Sequence, residues 1–267
     1  MTRGGDRIAS SLATAREAGR PAIAAYVTAG YPARGAWTGL FHAVSAACDV
    51  VEVGIPFSDP MADGATIQRT SRVALHDGAT LARTLATLAA SIPSIATPVV
   101  LMSYMNPLLA YGVSRVARDA ADAGVCGFVV PDLPVEEQGL LAPHLREAGI
   151  ALIQMVTPAT PEPRLRQICA LSEGFVYAVT VAGTTGGGLD DRTGINRYLV
   201  RVRASTAQPI LAGFGVRSRE DIATLVPPAD GVVVGSALIA AVDRGESPGR
   251  FLQNLIAIPS PTKGVYR

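Results

Sequence analysis

The stretch PVVLMSYMNPLLAYGVSRVARDAADAGVCGFVVPD, residues 98–132, holds two short apolar runs, PVVLMSY from Pro98 and GFVVPD from Gly127. Between them GVSRVARDAADAG carries charged residues along one side and closes on a glycine. A nearly continuous apolar run predicts a strand covered on both faces, and helical periodicity ending in Gly predicts an amphipathic helix with its stop signal. The stretch therefore reads strand, helix, strand, the unit that joins parallel strands.

Six further runs of the same kind flank it: AIAAYVT from Ala22, DVVEVG from Asp49, IALIQMVT from Ile150, FVYAVTV from Phe175, PILAGFG from Pro209 and DGVVVGS from Asp230. VEEQGLLAPHLREAG and PEPRLRQICALSEG supply further helical segments between them. Eight βα repeats predict an α/β protein with the (β/α)8 TIM-barrel architecture. We expect one domain over residues 1–267, with an N-terminal helix before the first strand and a last docking helix in FLQNLIAI. Ser, Pro and Gly gather mainly in the tail, and no linker divides the chain.

The length of 267 residues, 49% of them hydrophobic, is enough for a large core. Lys and Arg number 23 against 22 Asp and Glu, which gives no general electrostatic reason to bind nucleic acid or an anionic membrane. Cys48, Cys126 and Cys169 form no CxxC pair and are expected to be reduced, buried packing residues. His42, His76 and His144 sit on helix-like segments without metal-ligand spacing, so no metal is expected. No apolar stretch approaches the roughly 18 residues of a membrane span, and MTRGGDRIASSLATAREAG lacks the apolar centre of a signal peptide. A cytoplasmic protein is the expectation.

In this barrel the chemistry belongs at the C-terminal ends of the strands. VEVGIPFSDPMADGATIQ, residues 51–68, places Glu52 inside an apolar run and Asp59 and Asp63 in the loop after it. A carboxylate there must be hydrogen-bonded, shifted upward in pKa, or both. A raised pKa suits proton transfer near neutral pH, whereas the structural alternative is a fixed ion pair. Spacing does not say which aspartate points inward, and each by itself also suits a turn or helix cap. GTTGGG (183–188), GFG (213–215) and GS (235–236) end the last three strands. Glycines allow close backbone approach and the Gly-Ser step opens a helix N-terminus, a natural phosphate site in this barrel. Lys and Arg are scarce there, so backbone dipoles are expected to hold the anion. Glu136 and Glu137 are expected to begin a helix. Asp132 should end a strand and help build the pocket floor.

The motifs VEVGIPFSDPMADGATIQ, LMSYMNPLLAYG (101–112), VVPDLPVEE (129–137), GFVYAVTVAGTTGG (174–187), LAGFGVRSREDI and GVVVGSALI run in order along almost the whole chain. In them the sequence resembles the tryptophan synthase α subunit family. The resemblance implies retro-aldol cleavage of indole-3-glycerol phosphate to indole and glyceraldehyde 3-phosphate, without metal or cofactor in this chain. Carried onto matching positions, it makes Glu52 the general acid/base and Asp63 the second catalytic carboxylate, with Asp59 left to loop structure. It implies an indole pocket of Tyr26, Met102, Tyr104, Val129, Met155, Tyr177 and Phe214. It implies phosphate binding at Gly186, Gly215, Gly235 and Ser236, and loop closure through Thr185. Many family members carry an Arg where Val181 stands, and the glycine run after Thr185 also departs from the family. That run raises the entropic cost of closing the loop. The implied partner is a pyridoxal-phosphate-dependent β subunit in an α2β2 heterotetramer, contacted through the loop after Glu52 and the segment MNPLLAYG. Alternatives are a free-standing lyase that releases indole, a non-catalytic activator of a β subunit, and a phosphate-binding isomerase on the same barrel.

Overall fold

The computed structural model describes residues 3–180, 192–213 and 215–256. Along the chain come α1 (Gly4–Glu17), β1 (Ala22–Thr28), α2 (Arg34–Ser45), β2 (Val50–Gly54), α3 (Ala65–His76) and α4 (Leu81–Ser91). They are followed by β3 (Val99–Met102), α5 (Met105–Tyr111), α6 (Val113–Asp122), β4 (Gly127–Val129), α7 (Ala142–Glu147), β5 (Ala151–Val156) and α8 (Glu162–Leu171). The last elements are β6 (Val176–Val179), α9 (Arg192–Ser205), β7 (Ile210–Gly213), α10 (Arg219–Leu225), β8 (Gly231–Val234), α11 (Ser236–Asp243) and α12 (Pro248–Ile256). The eight strands close in sequence order into a parallel barrel, β8 pairing back onto β1. This is the expected TIM barrel, and each expected strand is present.

Alternate residues of each strand enter two separate cores, as the two-residue period of a strand requires. Ile23, Ala25, Val51, Val53, Val99 and Leu101 join the layer between strands and helices. Ala22, Ala24, Tyr26, Val50, Val100, Met102, Val129, Tyr177 and Val233 fill the barrel interior. The expected N-terminal helix plugs one end, since Ile8, Leu12 and Ala15 of α1 belong to the interior cluster. Two glycines admit it. A Cβ on Gly4 would lie 2.0 Å from the Cys126 carbonyl oxygen, and one on Gly127 would lie 3.1 Å from Ile8. With that end filled, a ligand has access from the C-terminal ends of the strands. The expected docking helix is α12, which buries Leu252 and Leu255 and packs against α2, α10 and α11.

Three local expectations are corrected. VEEQGLLAPHLREAG is not one helix: a 3-10 turn over Val135–Leu140 precedes α7. Pro143 explains the break, because a residue without N–H is tolerated only in a first turn and so marks a new start. Asp132 neither ends β4 nor floors the pocket. Its carboxylate accepts the Met105 backbone N–H at 2.8 Å and satisfies an open donor at the start of α5. Cys126 and Cys169 are buried free thiols as expected, but Cys48 is only half-buried. Among the described residues no helix is long and apolar enough to cross a membrane.

Candidate active site

Glu52 stands in register with Tyr26 on β1 and Val100 on β3, both interior residues, while its neighbours Val51 and Val53 face the helices. Its side chain therefore points into the barrel. It is 3% exposed, and Oε1 has no hydrogen-bond partner among the described residues. Burial first, and the nearby charge of Asp63 second, push its pKa up to about 8. Asp49, three residues earlier, shows the structural alternative: Arg20 holds both its oxygens, at 2.7 and 2.8 Å, and the Ile23 N–H adds a third bond. Glu52 has nothing comparable and is the group free to move a proton.

The loop after β2 brings Asp63 inward and leaves Asp59 out. Asp59 is exposed and bonded to the Ser58 hydroxyl, a turn role. Asp63 is 5% exposed. Its carbonyl accepts the Gln68 side-chain amide at 2.9 Å, which ties the loop to the first turn of α3. Tyr104 does the rest, because its hydroxyl accepts the Ala62 N–H at 2.9 Å and sits near enough to the Asp63 carboxylate to favour its charged form. Burial lifts the Asp63 pKa to about 6, and the Tyr104 hydroxyl opposes that rise. At pH 7 the pair is thus divided, with Glu52 mostly a neutral acid and Asp63 mostly an anion.

Two phenols crown these carboxylates, and glycines on neighbouring strands make room for them. A Cβ on Gly54 would lie 2.0 Å from the Tyr26 hydroxyl, and one on Gly213 would lie 2.5 Å from the Tyr177 ring. Gly213→Ala should therefore displace Tyr177 without breaking β7, an overpacking cost of about 1–3 kcal/mol. The expected result is a folded variant by circular dichroism whose KM for a ring-bearing substrate rises about tenfold; an unchanged KM would show that Tyr177 does not shape the pocket.

A cavity of about 60 Å³ gathers Tyr26, Met102, Tyr177, Asp63, Gly215, Gly235 and Ser236 on one wall set. Tyr26, Met102 and Tyr177 of the expected ring pocket thus meet Asp63 and three of the expected phosphate residues. Gly215 has φ +81°, a conformation glycine adopts without strain. The first turn of α11 opens at Ser236 with no side-chain cap on Gly235, so its backbone donors face outward for an anion. Met155 instead lines a second cavity of about 570 Å³ with Met61, Ala62, Pro131 and Val179. Val129 is fully buried in the interior cluster and reaches the wall of neither cavity. Tyr104 is committed to the Asp63 loop and lies near Phe57, ring centroids 5.3 Å apart. Phe214, Thr185, Gly186 and Val181 lie outside the described residues.

Ile67, Val233, Val216, Arg217 and Ala237 also border the first cavity and were not anticipated. β8 is buried at every position, so nothing in the sequence singled out Val233, whereas Ile67 lies four residues after Asp63 in the first turn of α3. Arg217 brings to this wall the sign of charge that a phosphate needs, beside glycine segments that themselves carry no Lys or Arg.

The comparisons with known proteins agree with this geometry. A family model described as "Tryptophan synthase alpha chain" matches residues 12–263. A tryptophan synthase alpha chain of Roseiflexus castenholzii is 42% identical over 248 residues, covering 92% of this chain and 95% of that protein. One from Bacillus cereus is 48% identical over 198 residues, covering 74% of this chain and 77% of that protein. Among solved structures, a Mycobacterium tuberculosis tryptophan synthase superposes with a TM-score of 0.86 at 36% identity, over 93% of this chain and 96% of that one. The tryptophan synthase subunit alpha of Legionella pneumophila gives 0.84 at 30% identity, over 93% and 96%.

Proposed function

Since this chain belongs to the tryptophan synthase alpha chain family, the lyases that cleave indole-3-glycerol phosphate in tryptophan biosynthesis, we propose that Glu52 and Asp63 carry that cleavage here. The observation that supports it most is the buried Glu52 facing the interior, its Oε1 without a partner among the described residues, beside an Asp63 that is mostly ionised at pH 7. Neutral Glu52 donates its proton to C3 of the indole ring. That carbon becomes tetrahedral and the ring nitrogen becomes an iminium, whose positive charge the Asp63 carboxylate stabilises. The Glu52 carboxylate then takes the proton of the side-chain hydroxyl next to C3. The carbon-carbon bond breaks, its electron pair returns to the ring, the alcohol becomes the aldehyde of glyceraldehyde 3-phosphate, and Glu52 is again neutral. Proton transfer and countercharge both come from side chains, so this chain needs no cofactor of its own. Tyr26, Met102 and Tyr177 surround the ring. Gly215, Gly235 and the backbone and hydroxyl of Ser236 hold the phosphate.

The partner is a tryptophan synthase β subunit, which carries the pyridoxal phosphate, in an α2β2 assembly. Two apolar side chains in the expected contact segments support this: Met61, in the loop after Glu52, is 85% exposed, and Leu109 on α5 is 53% exposed. Indole formation from indole-3-glycerol phosphate, measured with and without a β subunit, tests both halves. Slow release by the chain alone and a rise of about tenfold or more with the partner is expected. No indole in either case would refute cleavage, and unchanged kinetics would refute coupling.

A further inference from the structure

Tyr26 is buried, lines the cavity, and is placed by its register opposite Glu52. Its ring leans across Gly54, two residues beyond Glu52 on the same face of β2, which carries the hydroxyl onto the strand that bears Glu52. The charges of Asp63 and Glu52 both act on it. What that hydroxyl does is not explained by ring packing, because a phenyl group would fill the same space.

Its neighbours make it an under-used donor. Thr70 Oγ1 donates to the Ile67 carbonyl at 2.8 Å and shares a 2.7 Å hydrogen bond with Thr28 Oγ1. Each threonine has a single hydroxyl proton. With that of Thr70 spent on Ile67, that of Thr28 is spent on Thr70. Between Thr28 and the Tyr26 hydroxyl there remains a contact of 3.5 Å, at the outer limit of a hydrogen bond. The same cluster holds an under-used acceptor, Glu52 Oε1. Glu52 Oε1 has no partner among the described residues and the Tyr26 hydroxyl has only the long contact with Thr28, so one group that bonds both is favoured in this pocket. That group is an alcohol, whose oxygen accepts from the phenol while its proton is given to the carboxylate.

We propose that Tyr26 is a third catalytic contact, its hydroxyl donating to the oxygen of the substrate alcohol adjacent to C3 while Glu52 accepts that alcohol's proton. This rests on the roles given above to Glu52 and Asp63. Tyr26 keeps its own proton throughout; only the alcohol proton moves, to Glu52, as the carbon-oxygen double bond forms and the carbon-carbon bond breaks. The phenol fixes the direction of the alcohol O–H toward Glu52 and stabilises negative charge that develops on the oxygen as the proton leaves.

Tyr26→Phe tests it, since the phenyl ring still covers Gly54 and removes only the hydroxyl. On indole-3-glycerol phosphate the expected result is a ten- to hundredfold fall in kcat, the range for a lost hydrogen bond to a charged centre. Affinity for an indolyl-alkyl phosphate that lacks the alcohol, measured by calorimetry, is expected to stay within twofold of the parent. A parent-like kcat would overturn the proposal, and so would a parallel loss of affinity for the alcohol-free analogue, which would mark a packing effect. Glu52→Gln run beside it separates the two levels: if that variant stays active the mechanism itself fails, and if it is inactive while Tyr26→Phe is not, only the role of Tyr26 fails.

Discussion

Glu52→Gln is expected to lower indole formation by about three orders of magnitude, within the 10²–10⁴ range of a positioned general acid/base. Gln keeps the volume but can neither give a proton to C3 nor take one from the alcohol. The same variant should be more stable than the parent at neutral pH. Holding a carboxyl at a folded-state pKa of about 8 rather than 4.5 costs on the order of 3 kcal/mol at pH 7. The sign follows from the raised value: below about pH 4.5 both states are protonated and the penalty vanishes. As pH rises the unfolded chain ionises first, so the penalty grows until about pH 8. The gap in Tm between variant and parent should therefore be several degrees at pH 7 to 8 and close toward pH 4. Parent-like activity would remove Glu52 from the chemistry, and a Tm gap that does not vary with pH would show that its burial does not shift its titration.

The second large effect concerns pH. Cleavage starts from Asp63 ionised and Glu52 protonated, so kcat/KM should trace a bell with an acid limb near pH 6 and a basic limb near pH 8. Asp63→Asn removes the countercharge of the iminium and should lower kcat by about 10²–10³. It should also abolish the acid limb. Because the charge of Asp63 helps raise the Glu52 pKa, the basic limb should move to lower pH in the same variant. An acid limb that persists in Asp63→Asn would assign it to another group and break the division of roles.

Much of this was legible beforehand, and the failures have identifiable causes. The runs at Ala22, Val99 and Val232 are almost wholly apolar and buried at every strand position because parallel strands are covered on both faces. That continuity announces a barrel but hides the parity, so it could not tell whether Glu52 or its neighbours Val51 and Val53 face the interior. Asp59 and Asp63 are alike as residues four apart in a polar loop; the bond from the Ala62 N–H to the Tyr104 hydroxyl, which also acts on Asp63, chooses between them. Asp132 looked like a strand end, yet β4 stops at Val129 and its carboxylate serves the start of α5. The need for Gly54 and Gly213 was invisible too, since each makes room for a tyrosine from the adjacent strand.

By itself the chain's pattern determined the order of eight βα units, the ends at which function would sit and the presence of carboxylates among apolar residues. These are local properties, carried by periodicity, turn formers and residue type. Only the closed barrel decided that Glu52 is a neutral acid, that Asp63 is its charged counterpart and that Tyr26 leans over both. Those properties depend on distances and on exclusion of water among β1, β2, β6 and the α3 loop, segments far apart in sequence, and a pKa is set by the surroundings that such contacts create.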